Sequence, residues 1–310
     1  MGIFVFLPLM LPLTALPIAR MAEQHLHPRS TTRLLTVLAV ALGVCSTLSL
    51  GLLVVVGTAQ LPGNPLPDGW SDPEVRAMVP RVETAGTGAI LALVAVLGAC
   101  AVTLRRNHRI SSRTHRALRD LPCDSDLAVL PDAAPYAYAL PGSPGRIVIS
   151  TSLLDCLDAD ERGALIAHER AHLSGRHHRL LLSTHLAGCV NPLLLPLRAA
   201  VAYSAERWAD EEAARAVGDR RVTARAVGKA ALVSHANPGP GLASFAAPGP
   251  VPRRVAALLG PVPPARTWPP ARTPAGFAAL MAAVGTVASA LSSANATIAL
   301  FIVLKAATPL

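Results

Sequence analysis

The sequence predicts an α-helical membrane protein with four transmembrane helices and an α+β domain inserted between the third and the fourth. Hydrophobic residues make up 52% of the 310 residues and charged residues only 15%, whereas soluble chains are about a quarter charged. Apolar residues gather in long runs near both ends, and the charged residues gather between them. That middle region mixes short strand-like segments between Pro and Gly turns with longer alanine-rich helical stretches.

The first apolar segment, Gly2 to Ile18, is short and broken by Pro8, Pro12 and Pro17. It lacks the basic leader of a cleaved signal peptide, and Arg20 follows it, so a retained span is expected. Leu34 to Ala59, Ala85 to Leu104 and Ala275 to Leu304 each reach the roughly 20 apolar residues a crossing helix needs. Arginine placement sets the orientation. Arg20, Arg29 and Arg33 precede the second span against Glu23, and Arg105, Arg106, Arg109, Arg113, Arg116 and Arg119 follow the third. Between those spans, Arg76 and Arg81 are outweighed by Asp68, Asp72, Glu74 and Glu83. The expected layout is three spans with short loops over 1–104, a cytoplasmic domain with juxtamembrane flanks over 105–274, and a fourth span with a short outer tail over 275–310. This is a multi-pass cell-membrane topology.

Leu180 to Tyr203 is also apolar, but Asn191-Pro192, Pro196 and Arg198 interrupt it. A single crossing there would separate the two halves of the site described below. The segment is expected either to be buried in the domain or to lie against the bilayer.

A net charge of +9 raises the question of nucleic acid. The densest basic stretch directly follows an apolar run, no zinc-finger or RNP-type pattern occurs, and aromatics are only 4%. Direct nucleic-acid binding is not expected. Cys45, Cys100, Cys123, Cys156 and Cys189 are scattered without a CxxC pair, which suits a reducing compartment rather than a disulfide framework.

The chemistry centres on His168-Glu169-Arg170-Ala171-His172. Histidines four apart on a helix share a face and can reach one zinc, with Glu169 between them placed to take a proton from an attacking water. Asp158-Ala159-Asp160-Glu161 reads as a capping box that starts this helix. A catalytic zinc takes three protein ligands, and two residues compete for the third place. Glu206 opens an alanine-rich helical stretch, with Asp210 one turn later able to accept an N–H from a ligating histidine. The rival is His178, since His168 to His178 fits the HExxHxxGxxH pattern of metzincins. No methionine follows His178 until Met281, inside the last apolar run, so the metzincin Met-turn is missing and Glu206 is favoured. Leu127 to Leu130, Tyr136 to Leu140 and Arg146 to Ser150 read as short strands.

The order Arg146 to Leu154, Asp160-Glu161, His168 to His172, then Glu206-x-x-x-Asp210 resembles the BlaR/MecR-type membrane metallopeptidases. It is more distantly similar to the HtpX and CAAX-prenyl-protease group. The resemblance implies a gluzincin domain with one zinc held by His168, His172 and Glu206, Glu169 as base and Asp210 behind a ligand. It implies that substrate adds as a strand beside Tyr136-Ala137-Tyr138. Pro252 to Leu258 resembles the family's late arginine motif, with Arg254 bracing the site. The oxyanion-stabilising role stays open between Arg254, His235 and a tyrosine. The sequence ends at Leu310, just past the last span, so the extracellular penicillin-binding sensor and its β-lactam sensing are not carried over.

The expected activity is a membrane-embedded zinc endopeptidase acting on a protein or peptide, with a transcriptional repressor as the partner the resemblance suggests. The alternative is a signal-transducing membrane protein that relays an event to a DNA-binding repressor with little general protease activity.

Overall fold

The structure is a computed structural model that describes residues 5–59, 82–117, 126–236, 251–264 and 272–306. The loop from Pro62 to Asp72, Arg76, Arg81, Arg119, Cys123 and most of the Pro/Ala-rich stretches from Ala236 to Pro252 and Pro261 to Pro274 lie outside these residues.

Three of the four expected spans are long apolar helices: α3 (Pro28–Thr58), α4 (Val82–Ala117) and α11 (Pro274–Ala306). The first is not a single long helix. It is a run of short pieces, α1 (Leu7–Met10), a 3-10 turn (Leu11–Thr14) and α2 (Ala15–His25). The prolines explain the breaks, because each lacks the N–H that an α-helix sends back four residues. Pro12 leaves the Pro8 carbonyl without its helical donor, and Ser46 Oγ on α3 supplies one at 2.9 Å. α4 runs well past its apolar stretch into residues 105–117, where the arginines favour a helix and neither Gly nor Pro interrupts it. α3 and α4 cross with Gly57 against Gly86, so close that a Cβ on Gly57 would lie 2.3 Å from the Gly86 Cα. Only a pair of glycines permits that approach.

The middle region builds β1 (Leu127–Leu130), β2 (Ala137–Leu140) and β3 (Arg146–Ser150). Their order is β1-β3-β2, with β1 parallel and β2 antiparallel to β3, so β2 is an edge strand. The central β3 is fully buried from Ile147 to Ser150. Its inward Ile147 and Ile149 pack with Leu153 and Leu157 and with Leu165 from the helix that follows. The short α5 (Thr151–Asp155) then leads to α6 (Ala159–Ser174). The capping box at its start is present: Asp158 accepts from the Glu161 N–H at 2.9 Å, and Glu161 accepts from the Asp158 N–H at 3.1 Å.

α6 ends at Gly175 and Arg176, the latter in a left-handed turn with φ 51°. α7 (His177–Val190) and α8 (Leu195–Val217) follow, joined by a 3-10 turn over Pro192–Leu194. The apolar stretch from Leu180 to Tyr203 is therefore a helical hairpin that goes out and comes back, with Leu194, Leu197, Ala200 and Val201 buried against Leu35, Leu38, Ala39 and Leu42 of α3. α9 (Arg220–Ala236) packs beside α6, and α10 (Val251–Leu259) beside α9. Arg220 fixes α10 by donating to the Leu258 carbonyl at 3.0 Å and the Ala257 carbonyl at 2.6 Å, which satisfies orphan carbonyls at a helix end.

Candidate metal centre

His168 and His172 lie one turn apart on α6 and turn toward α8, where Glu206 faces them. The Nε2 atoms of the two histidines are 3.1 Å apart. Glu206 Oε2 is 3.6 Å from His168 Nε2, and Oε1 is 3.5 Å from His172 Nε2. Zinc–nitrogen and zinc–oxygen bonds of about 2.0–2.1 Å in a tetrahedron give ligand-to-ligand edges of roughly 3.4 Å. The three observed separations bracket that edge, and the donor set of two imidazoles and one carboxylate is one that zinc accepts. The residues fit the ion.

The surroundings hold each donor in place. Asp210 is fully buried behind His168, with Oδ1 3.1 Å from Nδ1 at an angle bent away from the ideal hydrogen-bond line. Arg254, buried on α10, grips Asp210 with two hydrogen bonds, Nε to Oδ2 at 2.9 Å and Nη2 to Oδ1 at 2.6 Å. Its third nitrogen, Nη1, lies 2.9 Å from Glu206 Oε2. All three nitrogens of Arg254 are thus directed at the two acids, so it braces the site, and nothing in this arrangement frees it to meet a substrate oxygen. The His235 side chain lies outside the described residues.

His178 is exposed on α7, while its neighbour His177 turns inward and is buried. His177 Nδ1 is 2.9 Å from His172 Nδ1. Because His172 presents Nε2 to the site, its proton sits on Nδ1, and that N–H donates to His177. Each of the two imidazoles therefore has its rear nitrogen faced by a polar group, His168 by Asp210 and His172 by His177. On its other side His177 rests on Trp208, 4.5 Å between ring centroids, and the guanidinium groups of Arg29 and Arg33 on α3 stand 5.4 and 5.2 Å from the Trp208 ring. The sequence shows a basic His-rich helix end at Arg176 to Arg179, which concealed His177. The available signal was the Gly175-Arg176 turn, which restarts the helix and directs the next residue back toward His172.

Electrostatics agree with a cation site. Burial disfavours a charged His168, but Asp210 and Glu206 outweigh it and push this imidazole up to about 10. Burial brings His172 down to about 4, leaving it neutral with a lone pair to donate. Glu206 is also penalised by burial, yet Arg254 and the histidines hold it well below the usual carboxylate range. Glu169 is buried beside them and pushed up to about 7, chiefly by burial, with His168 opposing and Glu206 adding to the rise. A base that titrates near neutrality suits proton transfer.

The edge strand completes the arrangement. The Ser150 N–H donates to the Tyr136 carbonyl at 3.0 Å. Tyr136, Tyr138 and Leu140 therefore exchange ladder bonds with β3, and Ala137 and Ala139 turn their polar groups to the open edge. The outward Ala139 N–H donates to the Glu169 carboxylate.

Residues 104–187 match the model of peptidase family M48. That match supports a zincin metallopeptidase of this family, in which zinc dependence is a general property. It spans the sheet, the HExxH helix and most of α7, and it stops short of Glu206, Asp210 and Arg254, which the folded chain brings to the same place. No curated protein and no solved structure matches the chain.

Proposed function

We propose that this protein is a membrane-embedded, zinc-dependent endopeptidase of the BlaR/MecR type, with its peptidase domain on the cytoplasmic side. The observation that carries the reading is the cluster of donors around one point: His168, His172 and Glu206 spaced as three corners of a tetrahedron, with Asp210, His177 and Arg254 packed behind them. His168, His172 and Glu206 would hold the ion. Bound zinc supplies Lewis-acid polarisation of a scissile carbonyl and a lowered pKa for water.

The chain's own residues do the rest. The outward N–H and carbonyl of Ala137 and the outward carbonyl of Ala139 take an extended peptide as an added strand, which sets its register beside α6. Glu169, held by the Ala139 N–H, removes the proton of the attacking water and passes it to the leaving amine. Burial of Glu169 keeps its basicity high enough for that transfer near neutral pH. The membrane reading rests on the three long apolar helices, with the broken first segment as a fourth, retained anchor. The cytoplasmic side follows from the arginines that flank α3 and α4. The substrate class is a protein or peptide, with a DNA-binding repressor the specific partner suggested by the resemblance.

The test is cleavage of an unstructured reporter protein by the purified full chain in nanodiscs, loaded with one zinc and compared with Glu169→Gln. Cleavage by the first and none by the second supports the reading. No cleavage of several unstructured reporters by a folded chain carrying one zinc refutes it.

A further inference from the structure

The α7–α8 hairpin places an asparagine at its turn and buries it deep against α3. Asn191 Nδ2 donates to Ser46 Oγ and to the Leu9 carbonyl, both at 3.1 Å, and its Oδ1 accepts from the Leu193 N–H at 3.0 Å. Ser46 in turn donates to the Pro8 carbonyl. The Asn191 side chain, and the two carbonyls freed by the broken first segment, are thereby satisfied within the protein. Groups this buried keep such a network in any protein interior. Hydrocarbon demands it, because an unpaired polar group there costs several kcal/mol.

Depth can be measured along two helices from the Gly57–Gly86 crossing, which sits at the far ends of the apolar runs of α3 and α4. Along α3, at 1.5 Å per residue, Gly43 lies about 21 Å from the crossing and Ser46 about 17 Å. Gly43 touches Ala187 of α7, and Ser46 holds Asn191. Along α4, Cys100 and Thr103 lie about 21 and 26 Å from the same point. Both meet Cys189 of α7, Thr103 at 3.7 Å. The two measurements agree to about one helical turn. A hydrocarbon layer is about 30 Å thick, so Asn191 stands about 13 Å inside its near face by α3 and Cys189 about 4–9 Å inside it by α4.

We infer that the α7–α8 hairpin is a re-entrant membrane element, with its outward face covered by lipid acyl chains from the side on which the metal centre lies. Its outer surface fits that environment. Leu195 is 46% exposed at the tip, with Leu186, Val190 and Leu193 half-buried beside it. Between Arg179 and Arg198 the hairpin carries no Asp, Glu, Lys or Arg. Arg198, exposed a turn below Leu195, has a stem long enough to carry its charge back toward the headgroups. Both hairpin ends return to one side, which lets α6 and α8 share one ion and places His168, His172 and Glu206 at the foot of a membrane-inserted element. The inference depends on the membrane reading and is independent of proteolysis.

The test uses a nitroxide on Leu195→Cys, with the native cysteines replaced by alanine, in full-length chain reconstituted in phosphatidylcholine–phosphatidylglycerol liposomes. Labels at Val44→Cys on α3 and His178→Cys provide a lipid reference and an aqueous one. The expected result is high collision with oxygen and low collision with a water-soluble nickel chelate at 195, as at 44. High nickel collision at 195 would mean the tip stands in water, and low collision with both would mean protein covers it. Either outcome overturns the inference. If the cysteine-free chain fails to reconstitute, maleimide labelling of Leu195→Cys in the otherwise native protein decides the question, with exposed Cys156 as the reactive control. Modification of residue 195 in intact liposomes at the rate of Cys156 overturns the proposal. Protection that is lost on denaturation supports it.

Discussion

Replacing Glu206 by alanine should empty the metal centre, and replacing His178 should leave it full. Glu206 offers an oxygen to each histidine at 3.5 and 3.6 Å, so its loss removes one of three donors. Loss of a partner behind a ligand already weakens metal binding by about 10–100-fold. Loss of a ligand itself should exceed the upper end, a deficit beyond roughly 2.7 kcal/mol. A second penalty adds to this: Arg254 Nη1 lies 2.9 Å from Glu206 Oε2, and without that carboxylate only Asp210 is left to offset its charge beside the cation. His178 is exposed and outside the cluster, so His178→Ala should change affinity by no more than an ordinary surface substitution, about 0.5 kcal/mol or less. The assay is zinc content by atomic absorption after dialysis against a zinc buffer, with dissociation constants from chelator competition and circular dichroism to confirm folding. A full site in Glu206→Ala and an empty one in His178→Ala would refute the argument and restore the metzincin pattern.

Four other outcomes follow from the same structure. Glu169→Gln should retain one zinc per chain while losing cleavage, since an amide cannot accept the water's proton; retained proteolysis in a clean preparation would remove Glu169 from the role of base. His177→Leu should weaken zinc binding by about 10–100-fold, and His177→Asp, which restores an acceptor for the His172 N–H, should recover most of it; equal loss in both would mean that His177 merely fills space. Burial opposes the charged form of Glu161, but hydrogen bonds from Lys229 and the Asp158 N–H overcome it and hold its pKa below the ordinary value. Its stabilising effect is therefore present above the unfolded carboxyl's pKa and is lost as pH falls through the folded value, so the melting temperature should drop in acid less steeply for Glu161→Gln than for wild type. Reporters fused after Arg119 or between Ala236 and Gly249 should behave as cytoplasmic and one between Pro62 and Asp72 as external; a cytoplasmic signal from the last would invert the orientation.

What the sequence revealed of this protein lies within a few residues of chain. The capping box at Asp158 and Glu161, the one-turn spacing of His168 and His172 and that of Glu206 and Asp210 are helical periodicities, and they can be read without tertiary structure. The three strands are bounded by Pro and Gly and appear where those residues place them. The local pattern fails where the chain meets a distant part of itself. His177 looks like part of a basic helix end because its partners, His172 and Trp208, come together only after the left-handed turn at Arg176 and the return of α8. The long helix α4 outlasts its apolar run because composition marks where lipid ends, whereas helix propensity decides where a helix ends.

The hairpin shows the same limit at larger scale and changes how the prolines are understood. Pro8, Pro12 and Pro17 read in isolation as defects in a first span, and Asn191-Pro192 as an interruption in a fifth. In the folded chain the two irregularities complete each other. The carbonyls released by the broken first segment are the acceptors for Ser46 and for Asn191, and Asn191 is the residue that turns the hairpin. A regular first helix would leave the Asn191 amide short of a partner, and a hairpin without Asn191 would leave the Leu9 carbonyl short of one. Such reciprocal satisfaction is what hydrocarbon requires of polar backbone. It is invisible to any window along the sequence, because its members are 145 and 182 residues apart. The placement of Glu206 depends on it: α7 leaves His172 at His177 and α8 returns at Glu206, so the depth and direction of this turn determine whether Glu206 arrives opposite His168 and His172.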